Sequence, residues 1–427
     1  MRRPLRLAYD AVALIARAAT SVAPLGNSKH LRSLTERRGV LDRYRTWAAG
    51  GRDLSRPLLW MHAPSVGEGL QARPVLERMR QRRPDVQLVY THFSPSAADF
   101  ARNLDVDFRD YLVFDTPGDS AAALDALHPS ALVFSKLDVW PNLAAAARER
   151  GVRLGLISAT LAEGSSRRSW IARAVLHDAY ASLDAVGAID ATDADRLVEL
   201  GVRQSAIEIT GDTRYDQVWQ RATSVDRTPP ELRALTSPRP TIVAGSTWPS
   251  DEAVLLPAFT LLRRSTPDLR LIIAPHEPTA AHLDSITQWA QRAGISAAPL
   301  SNTMATAADV IVVDRVGVLG DLYSLASVAY VGGGFHSAGL HSVIEPAAFG
   351  APVLFGPRYQ MSRDARLLLQ NGGAISVANE RAFVTTATRW VKDDRARTEA
   401  GDCARTVVRE GLGAADRAFA LVDRLLR

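Results

Sequence analysis

The sequence predicts an α/β protein of two Rossmann-like domains, each built on a parallel sheet. Three observations predict it. Short apolar runs alternate with helix-length segments along most of the chain, the pattern of βαβ units. The alternation breaks at 225–240, where four prolines (Pro229, Pro230, Pro238, Pro240) and little periodicity mark a linker. At 427 residues the chain is also too long for one ordinary core. Two domains of similar size joined in this way imply a cleft in which the carboxyl ends of both sets of strands face one another.

Residues 1–38 read as a basic arm. Its apolar stretch, Leu5 to Leu25, is interrupted by Arg6, Asp10 and Arg17 and is followed by no small-residue cleavage site. It is therefore not a good signal peptide, and a spanning helix needs about 20 nearly uncharged residues. Two readings stand: an amphipathic helix lying on an anionic leaflet, and an ordinary first helix packed on its own domain.

The N-terminal domain, 39–224, opens with strand Leu58–His62, which ends in Ala63-Pro64-Ser65-Val66-Gly67-Glu68-Gly69 before a helical pattern through Met79. Strands follow at Val86–Thr91, Tyr111–Phe114, Ala131–Phe134, Arg153–Ser158, Ala185–Ile189 and Ile207–Thr210, with helices such as Ala121–Leu127 between them. The C-terminal domain, 241–427, repeats the pattern. Strand Thr241–Ala244, helix Asp251–Arg264, strand Leu269–Ala274, helix Ala280–Ala293 and strand Val310–Val313 come first. Strand Val328–Val331 then runs into Gly332, Gly333 and Gly334, and a polar turn leads to a short helix opened by Ser342 and to the run Pro352–Phe355. Helix Asp364–Asn371, a strand near Ala374–Val377 and two last helices complete it.

Composition narrows the function. The chain is 47% hydrophobic and 23% charged, ordinary for a globular protein. Its formal charge of +5 is unevenly placed. Residues 1–38 hold eight basic side chains (Arg2, Arg3, Arg6, Arg17, Lys29, Arg32, Arg37, Arg38) against Asp10 and Glu36, a net of +6, which leaves the remainder at −1. No basic stripe with interleaved aromatics runs through the body, so a nucleic-acid partner is not expected. The single Cys403 rules out an intramolecular disulfide and points to a reducing compartment. There is no His-x-x-x-His, Cys-x-x-Cys or Gly-x-x-x-x-Gly-Lys-Ser/Thr spacing, so a zinc enzyme and a P-loop enzyme both drop out, and no metal ligands are expected.

Ligands of open parallel sheets sit beyond the carboxyl ends of the strands, which gives the loops there most weight. Glu68 falls at a helix start, either as a general base or as a helix N-terminal Glu favoured by the dipole. Lys136, one of three lysines with Lys29 and Lys392, follows a strand, with Asp138 two residues on and then Trp140. The pair is a site feature or a surface ion pair. Gly245-Ser246-Thr247 is a phosphate turn, or Thr247 or Ser250 is a plain N-cap. Pro275-His276-Glu277 follows the next strand. At Gly332–Gly334 a strand breaks into glycines before a helix, which would let backbone N–H groups meet an anion. A tight turn is the alternative. Glu345 lies three residues past Ser342, either accepting from ribose hydroxyls or completing a capping box.

Together these loops resemble the Kdo transferases, the 3-deoxy-D-manno-octulosonic acid transferases that glycosylate the lipid A precursor. The matching pieces are HAPSVGEG (62–69), THFSPSA (91–97), DVWPN (138–142), GDTRYDQV (211–218), GSTWPSDE (245–252), PHEP (275–278), GDLY (320–323) and GLHSVIEPAAFGAPVLFGP (339–357), in the family's order. The resemblance implies a GT-B fold, with the acceptor in the first domain, CMP-Kdo as donor in the second, no metal and no cofactor. It implies inverting transfer to a lipid A precursor at the cytoplasmic face of the inner membrane, with Glu68 as catalytic base. His62, Ser65, Lys136 and Asp138 fall on the acceptor side. Gly245, Ser246, Thr247, His276, Glu277, Gly332, Gly333, Gly334, Ser342 and Glu345 fall on the nucleotide-sugar side. Many members have Glu-x-Glu-Leu-Trp where this chain has Lys136-Leu137-Asp138-Val139-Trp140, His-Asn in place of His341-Ser342, and Arg-His in place of His276-Glu277. Competing readings are another GT-B nucleotide-sugar enzyme, such as a UDP-GlcNAc 2-epimerase-like protein, and a non-catalytic binding protein on that scaffold.

Overall fold

Among the residues described by the computed structural model (3–22, 32, 34–224 and 230–427), the apolar runs fold into two seven-stranded, fully parallel sheets. The first holds β1 (Leu58–His62), β2 (Gln87–His92), β3 (Phe108–Tyr111), β4 (Ala131–Ser135), β5 (Arg153–Ala159), β6 (Ala185–Ala188) and β7 (Ile207–Ile209), in the order β3-β2-β1-β4-β5-β6-β7. Its helices are α1 (Arg3–Val22), α2 (Val40–Gly51), α3 (Val66–Arg82), α4 (Pro95–Arg102), α5 (Pro117–Leu127), α6 (Pro141–Glu149), α7 (Trp170–Ala181) and α8 (Ala191–Glu199). Every residue of β1 is buried, with Leu58 and Trp60 in one apolar cluster and Leu59 and Met61 in another. Both faces of the sheet are thus covered, which is why its strands read as continuous apolar runs.

After α9 (Arg214–Thr223) and α10 (Pro230–Arg233), the second sheet holds β8 (Thr241–Thr247), β9 (Arg270–Pro275), β10 (Ala297–Pro299), β11 (Val310–Val312), β12 (Val328–Val331), β13 (Val353–Phe355) and β14 (Ala374–Ser376). Their order is β10-β11-β9-β8-β12-β13-β14. Between and after them lie α11 (Pro249–Ser265), α12 (Ala280–Arg292), α13 (Leu319–Leu322), α14 (Ile344–Ala348), α15 (Arg363–Gln370), α16 (Glu380–Lys392), α17 (Asp394–Glu410) and α18 (Ala414–Leu425). Strand order reverses between β1 and β4 in the first sheet and between β8 and β12 in the second. These are the points beyond which doubly wound sheets take ligands.

The chain divides into one unit of Met1–Asp216 with Gly413–Arg427 and a second of Gln217–Leu412. The division at 225–240 is therefore displaced. Residues 225–229 lie outside the described residues, and Leu232 and Leu235 are buried in the core beside Val243 and Ile272 of the second unit. Residues 413–427, assigned from sequence to the C-terminal domain, return to the first. Ala418, Leu421, Val422 and Leu425 of α18 join the cluster of Leu59 and Met61. A Cβ on Gly155 would lie 2.6 Å from Leu425 Cδ1, so β5 leaves the slot that α18 fills.

Other local readings shift. The strand expected at Tyr111–Phe114 lies three residues earlier, because the Arg37 guanidinium donates to the carbonyls of Leu112 and Val113 and takes the ladder's place. Edge strand β10 is too short and too proline-capped to show a period. The helix placed at Ser342 starts at Ile344 with Val343 as its N-cap and no side-chain cap bond, so the Ser342–Glu345 capping box is not formed.

The N-terminal helix packs on its own domain, as the second of the two readings expects, and leaves an apolar side exposed. Its polar side is docked. Tyr9 donates to Asp115 Oδ2 (2.8 Å), Asn142 Nδ2 donates to Asp10 Oδ1 (2.7 Å), and Arg17 pairs with Asp119 (2.6 Å). Leu7, Val12, Leu14 and Ile15 on the other side are 52–70% exposed. No described helix is long and apolar enough to cross a membrane. Of the basic groups counted in this arm, Arg37 is 4% exposed and stacked on Phe93 and Phe114, and Arg32 pairs with Glu36. Arg2 and Lys29 lie outside the described residues.

Candidate active site

In the first unit the candidate residues come together at the switch point. Ser65 precedes α3 in extended conformation, which places Glu68 in the helix's first turn. The Ser65 hydroxyl donates to Glu68 Oε2, and Lys136 Nζ donates to Oε1 at 3.1 Å. Lys136 follows β4 with a left-handed backbone (φ 67°), its N–H bonded to Ile157 O at 2.8 Å. Such a conformation costs a non-glycine residue about 1 kcal/mol or more, so the surroundings must hold it. Ser135, one residue before, donates its hydroxyl to the Glu68 carbonyl (3.1 Å) and ties the two loops together. Burial pushes the Glu68 carboxyl up, but the Ser65 hydroxyl and the Lys136 ammonium outweigh it and leave the group below its ordinary value.

A second cluster adjoins this one. His62 Nε2 lies 3.2 Å from Asp138 Oδ2, and the Trp140 indole N–H is shared between Asp138 Oδ2 (3.0 Å) and His62 Nε2 (3.3 Å). His62 is fully buried, with Nδ1 against Thr91 O and Oγ1, so it supports Asp138 rather than lining a surface. Burial raises the Asp138 carboxyl, yet His62, Trp140 and Arg167 hold it below the usual range. Asp138 and Glu68 are thus both carboxylates with dedicated donors. The support from Thr91 and Ser135 carries no sequence signal, since buried hydroxyls in strands are ordinary.

In the second unit the glycine turn does something other than the sequence suggests. Gly332 N–H donates to Gly245 O (2.9 Å), and Gly333 N–H donates to Asp251 Oδ2 (2.8 Å). Asp251, fully buried, also accepts from Trp248 N (3.0 Å), Phe335 N (3.2 Å) and the Tyr330 hydroxyl (2.9 Å). Two of the N–H groups offered to an anion are therefore bonded internally. The glycines serve close approach instead. A Cβ on Gly332 would lie 2.2 Å from Ser246 O, and Gly333 has φ +92° with its Cβ position 2.1 Å from Gly339 O. Gly334 meets the backbone of Gly356 in the same way, and Gly245 passes close to the Tyr323 hydroxyl.

Around this turn, Thr247 Oγ1 donates to Glu252 Oε1 (2.7 Å), and the N-cap of α11 is Trp248 rather than Thr247 or Ser250. Ser246 is left-handed (φ 55°). The His276 ring stacks on Trp248, while the Glu277 carbonyl faces His282 Nδ1 at 3.2 Å. Glu345 lies in the first turn of α14, near enough to the buried Tyr323 that its charge adds to the burial holding that phenol protonated. The sequence reading missed Trp248, Asp251 and His336. Asp251 looks like any first-turn acid, and nothing local shows its reach to the turn after β12. Among the described residues no group of three or more His, Cys, Asp or Glu could hold a metal ion.

A model of the 3-deoxy-D-manno-octulosonic-acid transferase (kdotransferase) family matches residues 32–217, which include all of the Glu68 and Asp138 clusters. The chain is 29% identical over 401 residues to the 3-deoxy-D-manno-octulosonic acid transferase of Bordetella pertussis, across 89% of this chain and 90% of that one. It is 30% identical over 326 residues to that of Chlamydophila psittaci, across 74% and 73%. Among solved structures it is similar to the UDP-GlcNAc 2-epimerase of Neisseria meningitidis bound to UDP-GlcNAc (TM-score 0.63, 12% identity, 87% of this chain and 99% of that one). It is also similar to a glycosyltransferase from Rickettsia africae (TM-score 0.59, 11% identity, 87% and 99%). At such identities the structures speak for the fold, which is GT-B. The relatives' sequences speak for more: the chain belongs to the 3-deoxy-D-manno-octulosonic acid transferase family.

Proposed function

We infer that this protein is a glycosyltransferase that moves Kdo from CMP-Kdo to a hydroxyl of a lipid A precursor in lipopolysaccharide biosynthesis, with inversion at the anomeric carbon. The observation that carries the reading is Glu68, held as a carboxylate by Ser65 and Lys136 at the switch point of the first sheet. An alcohol is a poor nucleophile at neutral pH. As its oxygen bonds to the anomeric carbon, its proton passes to Glu68, and the bond from that carbon to the CMP phosphate breaks with the electron pair leaving on CMP. A positioned base of this kind contributes about 10²–10⁴-fold. Asp138, mostly buried beside His62 but with its side chain 22% exposed, is suited to orient the acceptor's hydroxyls.

The donor belongs to the second unit, where Glu345 is assigned to the ribose hydroxyls and the loops at Ser246, His276 and Ser342 to the rest of CMP. Fixed donors there stabilise the departing phosphate as charge develops on it. The exposed apolar side of α1, with Trp170 and Ile171 at the start of α7, suits the surface of the cytoplasmic membrane, where the lipid acceptor resides. Incubation with a lipid A precursor and freshly generated CMP-Kdo tests the reading. Release of CMP with a lipid product heavier by whole Kdo residues is expected. CMP-Kdo left unconsumed, or hydrolysed with no glycosylated lipid, would overturn it.

A further inference from the structure

Four rings from three loops meet beyond the carboxyl ends of β8, β9 and β12. The Trp248 indole lies parallel to the His336 imidazole (centroids 4.0 Å apart, 3° between planes) and stacks on His276 (4.6 Å, 26°). His276 in turn lies 4.6 Å from the His341 ring. Sandwiched between two imidazoles, the indole cannot swing, and its Nε1–H points at His341 Nε2 across 3.2 Å. Indole nitrogen is a donor only. His341 Nε2 is therefore the lone-pair nitrogen, and the ring proton sits on Nδ1.

The rest of the site keeps that ring neutral. Burial, with His276 and His336 beside it, drives the His341 imidazole down to about 4, against the pull of the Asp251 carboxylate. Its backbone N–H is tied to Gly332 O (3.1 Å), so the ring is held at both ends. Nδ1, which carries the proton, takes no partner among the described residues. The Gly332 and Gly333 N–H groups, two of those that would otherwise meet an anion, are spent on Gly245 and Asp251.

We propose that Trp248 is a positioning residue of the donor half-site: its indole N–H fixes the tautomer of His341, so that His341 presents an uncharged Nδ1–H to an anionic oxygen of the nucleotide sugar. The proposal rests on the donor assignment above. The oxygen belongs either to the nucleotide phosphate or to the carboxylate of the sugar, and the two sources separate experimentally. A neutral donor fixed in this way orients the anion without trapping the product as a cation would.

The test combines ring ¹⁵N NMR of His341 with titration of cytidine, CMP and, without acceptor, CMP-Kdo. In the wild type, His341 Nδ1 should show the protonated shift and Nε2 the unprotonated one. Trp248→Phe keeps the stack and removes the N–H. It should move the tautomer toward Nε2–H, weaken CMP about tenfold if phosphate is the partner, or weaken CMP-Kdo alone if the carboxylate is, and leave cytidine unchanged. His341→Asn retains an N–H at the Nδ1 position without a tautomer. Trp248→Phe should then have no further effect in that background. An unchanged tautomer in Trp248→Phe, or an equal loss of affinity in both backgrounds, overturns the proposal. Failure of wild-type protein to bind any cytidine nucleotide would instead sink the donor assignment, while the NMR result would still judge the tautomer.

Discussion

Lys136 Nζ donates to Glu68 Oε1 across 3.1 Å, joining the loops after β1 and β4 where strand order reverses. The lysine holds the candidate base ionised with a cation next to it. An ion-paired carboxylate is a weaker base than a lone one, but it is fully deprotonated at working pH.

Glu68→Gln keeps the shape and the Ser65 contact but takes no proton. Turnover should fall by about 10²–10⁴-fold, with CMP affinity and the unfolding midpoint close to wild type. Near-normal kcat in a single-turnover assay would return Glu68 to a helix-start role and make Asp138 the next candidate.

The pH profile follows from the depressed Glu68 carboxyl. Activity that needs the ionised form should hold down to below the ordinary carboxyl value of 4.5. The stability linked to this group is present above its unfolded pKa and is lost as pH falls through the lower folded one. Lys136→Met removes the cation and leaves the Ser65 hydroxyl as the main group opposing burial, so the acid limb of kcat/KM should move up. A limb that stays in place in Lys136→Met would show that another group controls it.

Asp251→Ala leaves the N–H groups of Trp248, Gly333 and Phe335 and the Tyr330 hydroxyl without their acceptor. Each buried group left unpaired costs about 1–3 kcal/mol, and with partial relaxation the total should come to about 3 kcal/mol. Chemical denaturation should show this loss, with CMP binding weakened in parallel. A stability change below about 1 kcal/mol would mean that water replaces the carboxylate.

Membrane attachment should depend on the apolar side of α1 more than on charge, since Arg37 is buried and Arg17 and Arg32 are already paired. Burying an aliphatic side chain fully yields about 1.5–3 kcal/mol. Replacing Leu7, Leu14 and Ile15 with Ser should therefore weaken attachment to anionic vesicles by roughly 1,000-fold or more, and added salt should have a smaller effect. Vesicle binding unchanged by these substitutions would exclude α1 as the attachment.

The strands and the loops after them were legible because buried parallel strands write continuous apolar runs. The Glu68, Lys136 and Asp138 positions follow directly from that placement. What stayed hidden was non-local. Asp251 gives no local sign that it reaches a turn about 80 residues on. Arg37 looks like part of a basic arm, yet its guanidinium closes the end of β3. The last helix reads as one more amphipathic segment, and only the slot at Gly155 shows which sheet it covers.

That last helix also sets a timetable. Asp216 accepts from the N–H groups of Gly413 and Ala415 (both 2.9 Å), so the residue that ends the first stretch of the first unit caps the helix that completes it. Roughly 200 residues intervene, which at about 5–20 residues per second is some 10–40 s of translation. Through that interval the nascent first unit carries an open apolar groove beside Gly155, and it closes only once residues 413–427 have been made. Ribosome-stalled chains ending before residue 413 should bind chaperones or an apolar dye that the finished protein does not. Supplying residues 413–427 as a separate peptide should suppress that binding.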